Sequence, residues 1–502
     1  MSEPVYERIT YNRQKSQIKE QIKVECKTDV AAIDLAAVLS VGAWTSVGDA
    51  DVSDGKIGYG GRAIFYLSFV NGEGEVKKIE CGAEFSGALI DKTIAADSKA
   101  VLYSTVDKTE VDTSGAKVKV CAFITIKAEV SGYNECSALV SGENLVVDSK
   151  EIEWEKSLGL RQGVYPIEEE FELAYPVEEV LYHRAEGVIT AVQCGVGTII
   201  VDGETQIDLV LLQKNQKSDI IKESKTFPFR MEVDCEDAMP TMQANARVKV
   251  AAFKTDVTVD GESGSSTVNF TATLKFFGEA FSSSSLNVAV DAFCTENEVQ
   301  IENQKLCCYK SKEQRTITLP ASGRAAVNEL PVGALVMAVG GERIETVQKE
   351  IDGEVLSISG VVTAVGYFSD GENKVFTRKM EIPFVAETEI AIEKDTEIEI
   401  TAIAKGFGAR VVSLTEMDCR AEVVVTVYQK TAREISVINK IDFLGERKKC
   451  DAAISVYIPE EGEDLWALSK RLNVCPEKLV ETNKELCFPL TGNERIIIYR
   501  QR

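Results

Sequence analysis

The chain reads as mainly β: three tandem antiparallel β-sandwich-like repeats followed by a small βααβ unit. Three observations predict this. A pattern of two glycines and an aromatic recurs three times at nearly constant spacing. Runs of alternating apolar and polar residues, punctuated by turn dipeptides, fill most of the chain. Helical periodicity is confined to the stretch beyond residue 455.

The first observation carries the organisation. Segments 38–61, 180–203 and 335–360 align so that an apolar residue precedes a first glycine by 17, 17 and 18 positions: Val38 to Gly55, Val180 to Gly197, Leu335 to Gly353. A second glycine follows at Gly61, Gly203 and Gly360. Phe85, Phe229 and Phe384 come 24, 26 and 24 residues later, as AEF, FPF and IPF. In-strand glycines at Gly61 and Gly360 suit a bulge or a close backbone approach. No helix follows GYGGRAIFYLSF, so a phosphate loop is not expected there.

Downstream of each aromatic lies an alternating run, at 118–130, 246–259 and 396–405. In the first, Val118, Val120, Ala122, Ile124, Ile126, Ala128 and Val130 share one face, because successive strand side chains point to opposite sides. Asn71-Gly72, Asp202-Gly203, Asp260-Gly261, Asp352-Gly353 and Asp370-Gly371 suit the positive φ of tight hairpin turns. Each unit reads as an antiparallel sandwich or partly open barrel, over 1–150, 151–302 and 303–445. Linkers are expected near 136–165, 302–320 and 441–451, and loops at the serine-rich 261–266 and 282–285. Asn269-Phe270-Thr271 matches a glycosylation sequon.

Composition bounds the function. The chain has 502 residues, 44% hydrophobic and 27% charged, the range of a globular protein of several domains. With 80 acidic against 56 basic residues the net charge is −24, which argues against phosphate-tracking nucleic-acid surfaces and anionic membranes. No run of eighteen apolar residues and no secretory signal is visible, so neither membrane insertion nor export is expected, and the expected compartment is the cytoplasm. Thirteen cysteines, scattered singly with one adjacent pair at Cys307-Cys308, read as reduced, small apolar residues. His183 is the only histidine, which removes the imidazole-dependent mechanisms and most metal sites; it reads as an ordinary surface or half-buried residue near a strand end. No catalytic residue, cofactor or metal site is expected.

Beyond residue 452 the pattern changes. AISVYI alternates, and Leu465, Leu468 and Leu472 then recur at helical spacing, predicting a short helix from about Asp464 to Leu472 capped by Asp464 or Glu463. Pro476 suits the first turn of a second helix, and Arg495 to Tyr499 closes as a strand. Trp466 reads as core. This segment holds 7 basic and 8 acidic residues, net −1, leaving −23 for the first 451; so acidic a body would prefer basic partners.

This C-terminal stretch resembles a LysM domain. The likeness rests on Val456-Tyr457, Gly462-Glu463-Asp464-Leu465-Trp466, Asn473-Val474-Cys475-Pro476-Glu477-Lys478-Leu479, Asn483, Leu490-Thr491-Gly492 and the closing strand. Glu463-Asp464 stand where the family usually has Asp-Thr. LysM domains bind N-acetylglucosamine polymers in a shallow groove. The resemblance implies one wall from Gly462, Glu463, Asp464 and Leu465 and the other from Asn483, Lys484, Glu485 and Leu486. The three upstream units, with their Pro-Phe element and the tail at 291–302, resemble the SPOCS domains of spore coat proteins. The combination is similar to the SipL type of coat morphogenetic protein of spore-forming clostridia. It implies a non-enzymatic adaptor in the mother-cell cytoplasm at the forespore surface. Its implied partner is the ATPase scaffold of the coat basement layer or another coat protein, with peptidoglycan glycan as the alternative ligand.

Overall fold

Alternating apolar residues and closely spaced turns favour extended chain throughout, and the computed structural model is mainly β, with antiparallel pairing in every sheet. It describes residues 3–12, 17–29, 34–114, 117–214, 219–262, 264–391, 393, 395–447 and 452–499. The first strands are β1 (Pro4–Asn12), β2 (Gln17–Asp29), β3 (Leu35–Val47), β4 (Asp51–Ser53), β5 (Lys56–Asn71), β6 (Val76–Ile90), β7 (Lys99–Asp112), β8 (Lys117–Ser131) and β9 (Tyr133–Gly142). Next come β10 (Leu145–Leu173), β11 (Val177–Cys194), β12 (Thr198–Gln213), β13 (Ile220–Asp234), β14 (Gln243–Val259) and β15 (Ser266–Cys294). Then follow β16 (Asn297–Ala326), β17 (Leu335–Asp352), β18 (Val355–Ser369), β19 (Val375–Glu389), β20 (Thr396–Ser413) and β21 (Glu416–Glu446). The C-terminal module contains β22 (Ile454–Tyr457), α1 (Leu465–Leu472), α2 (Pro476–Thr482) and β23 (Ile496–Tyr499).

Three pairs of sheets form the body. In the first pair, β2-β8-β7 packs on β3-β5-β4, whose β5 also holds β6; in the second, β10-β15-β14 packs on β11-β12-β13; in the third, β16-β21-β20 packs on β17-β18-β19. Each encloses its own apolar core. The inward face of β8, from Val118 through Val130, is buried at every alternate residue, as its period of two requires.

The recurring glycine and aromatic meet across a hairpin. Gly61 lies opposite Phe85, Gly203 opposite Phe229 and Gly360 opposite Phe384. A Cβ on Gly61 would sit 2.5 Å from Phe85 Cζ and collide with the Ser46 carbonyl; at Gly203 it would strike the Phe229 ring and the Val188 carbonyl. The ring covers bare backbone that a side chain would otherwise occupy.

Shared cores join the pairs. β1 with β9, and the outer halves of β10 with β15 and of β16 with β21, make three ribbons that bury Ile9, Cys136, Trp154, Val288, Leu306 and Val437 against one another. Elsewhere Leu39, Leu181, Val210, Ala338 and Tyr367, drawn from all three pairs, form a second common core.

Several expectations are corrected. The supposed linkers at 136–165 and 302–320 are strand, within β9, β10 and β16, apart from the two-residue turn at 143–144. Alternation explains this: Ile152 and Trp154 are buried while Glu151 and Glu153 are exposed. Of the third linker, 441–446 belong to β21, while 448–451 lie outside the described residues. Ser282 to Ser285 sit inside β15, opposite Glu153 to Lys156. Asp202-Gly203 is mid-strand in β12, not a turn, because the glycine serves the Phe229 contact. The three alternating runs are not equivalent: 118–130 is a central strand, whereas β14 and β20 are edges. Cys26 of β2 and Cys81 of β6 form a disulfide with Cα atoms 6.5 Å apart, contrary to the all-reduced reading; the cysteine count carries no information on which strands face each other. His183 is buried in the middle of β11, 9% exposed. No helix of the described residues is long and apolar enough to cross a membrane.

Candidate functional site

The C-terminal module is built around Leu468, Leu479, Leu490, Ile496 and Ile498. Asp464 stops the chain in extended backbone and its Oδ1 accepts the Ala467 N–H at 2.7 Å, which starts α1. Asn473, at φ 56°, ends it. Pro476 opens α2, where its missing N–H leaves no bond unmade.

The residues expected to wall a groove are mostly engaged inside the module. Gly462, at φ +84°, donates its N–H to the Leu490 carbonyl at 2.8 Å, and the Glu463 carbonyl accepts from Leu490 N at 2.9 Å, so the two loops are tied by backbone. The Glu463 carboxylate turns back to Arg471 and accepts the Glu460 N–H at 3.2 Å; its side chain is 8% exposed. The second carboxylate, on Asp464, is the helix cap. Asn483 clamps β23, accepting the Ile497 N–H at 2.7 Å and donating to the Ile497 and Leu479 carbonyls at 2.8 and 2.9 Å. Leu465 and Leu486 lean on the core. Lys484 and Glu485 alone of the second wall are exposed side chains. The polar groups are therefore spent on holding the loops, and few are left to face a ligand.

Trp466 is half-buried against another part of the chain, not in the module's own core. Its ring packs on Phe293 with centroids 5.4 Å apart, and its Nε1 donates to Asp291 Oδ2 at 2.8 Å. Lys470 Nζ reaches both Asp291 oxygens at 2.6 and 2.7 Å, and Asn473 Nδ2 donates to the Thr295 carbonyl at 2.7 Å. Burial pushes the Asp291 carboxyl up, but the bonds from Lys470 and Trp466 outweigh it and hold it below its usual range. One face of α1 thus seats the module on the end of β15. A leucine-like spacing on α1 could not distinguish this contact from burial in a local core.

What the module leaves open is apolar. β22 and β23 pair antiparallel, with Ile454 opposite Tyr499 and Val456 opposite Ile497. All four point away from the helices: Ile454, Val456 and Tyr499 are 59%, 62% and 62% exposed, Ile497 is 37%, and Ile458 continues the face at 66%. The alternation of AISVYI marks this strand, but period alone does not say that the apolar side faces out. Isolated exposed apolar residues are ordinary, whereas a contiguous cross-strand set is characteristic of an interaction surface.

Among the described residues no cluster of three His, Cys, Asp or Glu could hold a metal ion. Compared with family models, curated proteins and solved structures, the chain matches none.

Proposed function

We propose that this protein is a non-enzymatic structural adaptor of spore coat assembly: three SPOCS-like units over 1–150, 151–302 and 303–445, followed by a LysM-like unit over 452–502. In this reading it works in the mother-cell cytoplasm at the forespore surface. Its C-terminal module docks the ATPase scaffold of the coat basement layer or another coat protein. The observation that carries the reading is the open apolar face of Ile454, Val456, Ile458, Ile497 and Tyr499 on a module whose Glu463, Asp464 and Asn483 side chains are engaged internally. Such a face suits a protein surface, where apolar anchors supply most of the binding energy.

The test is capture from sporulating cells with the full-length chain and with a V456E/I497E variant. Both substitutions lie on the outward face, so the module's core is untouched. Recovery of a coat scaffold protein should fall by about tenfold or more in the variant, which corresponds to losing an interface hot spot. Equal recovery by both chains ends the docking reading.

The glycan reading keeps one observation in its favour, the exposure of Lys484 and Glu485, two of the residues that the resemblance implies for the second wall. Titration of the full chain with chito-oligosaccharides separates the two. Saturable binding that is lost in K484A and kept in V456E/I497E would favour the sugar.

A further inference from the structure

A cleft of about 590 Å³ lies between the first and second sheet pairs. Ser46 to Ala50 and Lys99 to Leu102 line one side; Leu160 to Gln162, Lys249, Lys275 and Phe277 line the other. Its size falls in the usual range for small-molecule sites, roughly 300–1,000 Å³.

The charge of this cleft runs against that of the chain. Four cationic residues, Lys99, Arg161, Lys249 and Lys275, face one carboxylate, Asp49, a local balance of 4 − 1 = +3 in a protein of net −24. Lys275 Nζ meets Asp49 at 2.9 Å, on an aspartate that is 72% exposed. Lys249 has no such partner: its Nζ donates to Ser104 Oγ at 2.9 Å and to the Ser104 carbonyl at 3.3 Å, and among the described residues no carboxylate lies within ion-pair distance. Burial pushes its ammonium down to about 8, with neighbouring Lys275 acting in the same direction and Glu186 opposing. Arg161 Nε has no hydrogen-bond partner among the described residues. A guanidinium and a desolvated lysine without a carboxylate partner, lining one cleft with two further lysines, are an arrangement that an anion would complete.

We propose that this cleft binds a small phosphorylated molecule, its phosphate received by Arg161, Lys249 and Lys275. A phosphate monoester carries about −1.5 to −2 at neutral pH, which offsets about half to two-thirds of the surplus the cleft presents. The planar guanidinium suits two phosphate oxygens at once, and the lysines act as point charges. The cleft is larger than a bare phosphate needs, and Phe277 and Leu102 offer an apolar wall to an organic part.

The experiment is calorimetric titration of the full chain with pyrophosphate and with adenosine 5′-monophosphate, ionic strength held with sodium chloride, on wild type, R161Q and K275Q. Saturable binding of either probe by the wild type, weakened about tenfold in each variant, is the expected result. K275Q removes one ion pair to an exposed aspartate, keeps a side chain of similar length in the same place, and so keeps the fold even where R161Q disturbs it. Absence of saturable binding by both probes, or affinity unchanged in K275Q, overturns the proposal.

Discussion

His183 packs edge-on between Tyr66 and Phe253, with ring centroids 4.7 and 4.8 Å away, and its Nδ1 lies 3.3 Å from Thr255 Oγ1. Burial pushes its pKa down to about 3, and the charge of Lys78 acts in the same direction. In the unfolded chain the ring titrates near its ordinary value of about 6.5. Between those two values the unfolded chain binds a proton that the folded chain does not. Stability from this residue is therefore complete above about pH 6.5 and is lost as the pH falls toward 3. H183F keeps an aromatic ring in the same place and cannot take up a proton. From pH 7 to pH 5 the wild type should lose about 2 kcal/mol more unfolding free energy than H183F, since one group contributes up to about 1.4 kcal/mol per pH unit. Urea denaturation at the two pH values measures this, and equal losses would show that the ring is not held neutral. A single histidine among 502 residues says what chemistry is absent, but only the neighbours on β5 and β14 say what the residue does.

Strand by strand, the glycine–aromatic spacing was the most legible feature, because it reports a contact between neighbours in one hairpin. Two residues 24 to 26 apart, joined by a turn, come opposite each other with no help from the rest of the molecule. The same locality explains why the turns near Asn71-Gly72 and Asp370-Gly371 could be read directly, although the positive φ falls later in each, at Gly74 and Asn373, and why the α1 cap could be narrowed to Asp464 or Glu463 and the α2 start placed at Pro476. The long ribbons could not. The serines at 282–285 and the mixed charges near 151–156 look like loop, and become strand only because each supplies the other's backbone partner. The groove residues are a related case: the motif marks Glu463 and Asn483 in the chain, and says nothing of Arg471 and the β23 backbone, which hold their polar atoms. The glycine contact has a measurable consequence. In G203A the new methyl must displace the Phe229 ring or the Val188 carbonyl, an overpacking cost of about 1–3 kcal/mol. G61A should cost a similar amount. Gly261, with no atom within 4 Å of the same position, serves as control, and G261A should be close to neutral. Thermal or urea denaturation of the three variants decides whether the aromatic cover is rigid; a neutral G203A would mean that it is not.

Across the molecule, the three sheet pairs meet at one buried charge cluster whose members are far apart in sequence. Arg247 on β14 reaches Glu129 of β8 at 2.9 Å and Glu399 of β20 at 3.2 Å, and Lys127 of β8 also pairs with Glu399. The guanidinium lies 3.9 Å from the Tyr428 ring centroid, with Tyr103 on its other flank at 5.7 Å. Each pair of sheets supplies at least one member, so the cluster exists only when all three are assembled. Burial pushes the Glu399 carboxyl up, but Arg247 and Lys127 more than offset it and hold it at about 2. No local pattern in the sequence marks these charges, since each sits in a strand that reads equally well with its charge in water. Removing one partner from a buried cluster is costly because the remaining charges lose compensation they cannot recover from solvent. R247M should therefore destabilise the protein by about 3–5 kcal/mol, even though methionine fills much of the same space. Converting the stranded acids as well, in R247M/E129Q/E399Q, should recover most of that loss. The pH dependence follows from the same account. The native carboxylate of Glu399 adds stability above about pH 4.5 that is lost as the pH falls toward 2. Without Arg247, Glu399 takes up a proton more readily in the fold, so the deficit of R247M relative to wild type should shrink on acidification below about pH 4.5. Denaturation of the three proteins at pH 7 and pH 4 tests both statements. A deficit that is the same at both pH values, and is not relieved in the triple variant, would assign the cost to lost packing on Tyr428 and Tyr103 in place of uncompensated charge.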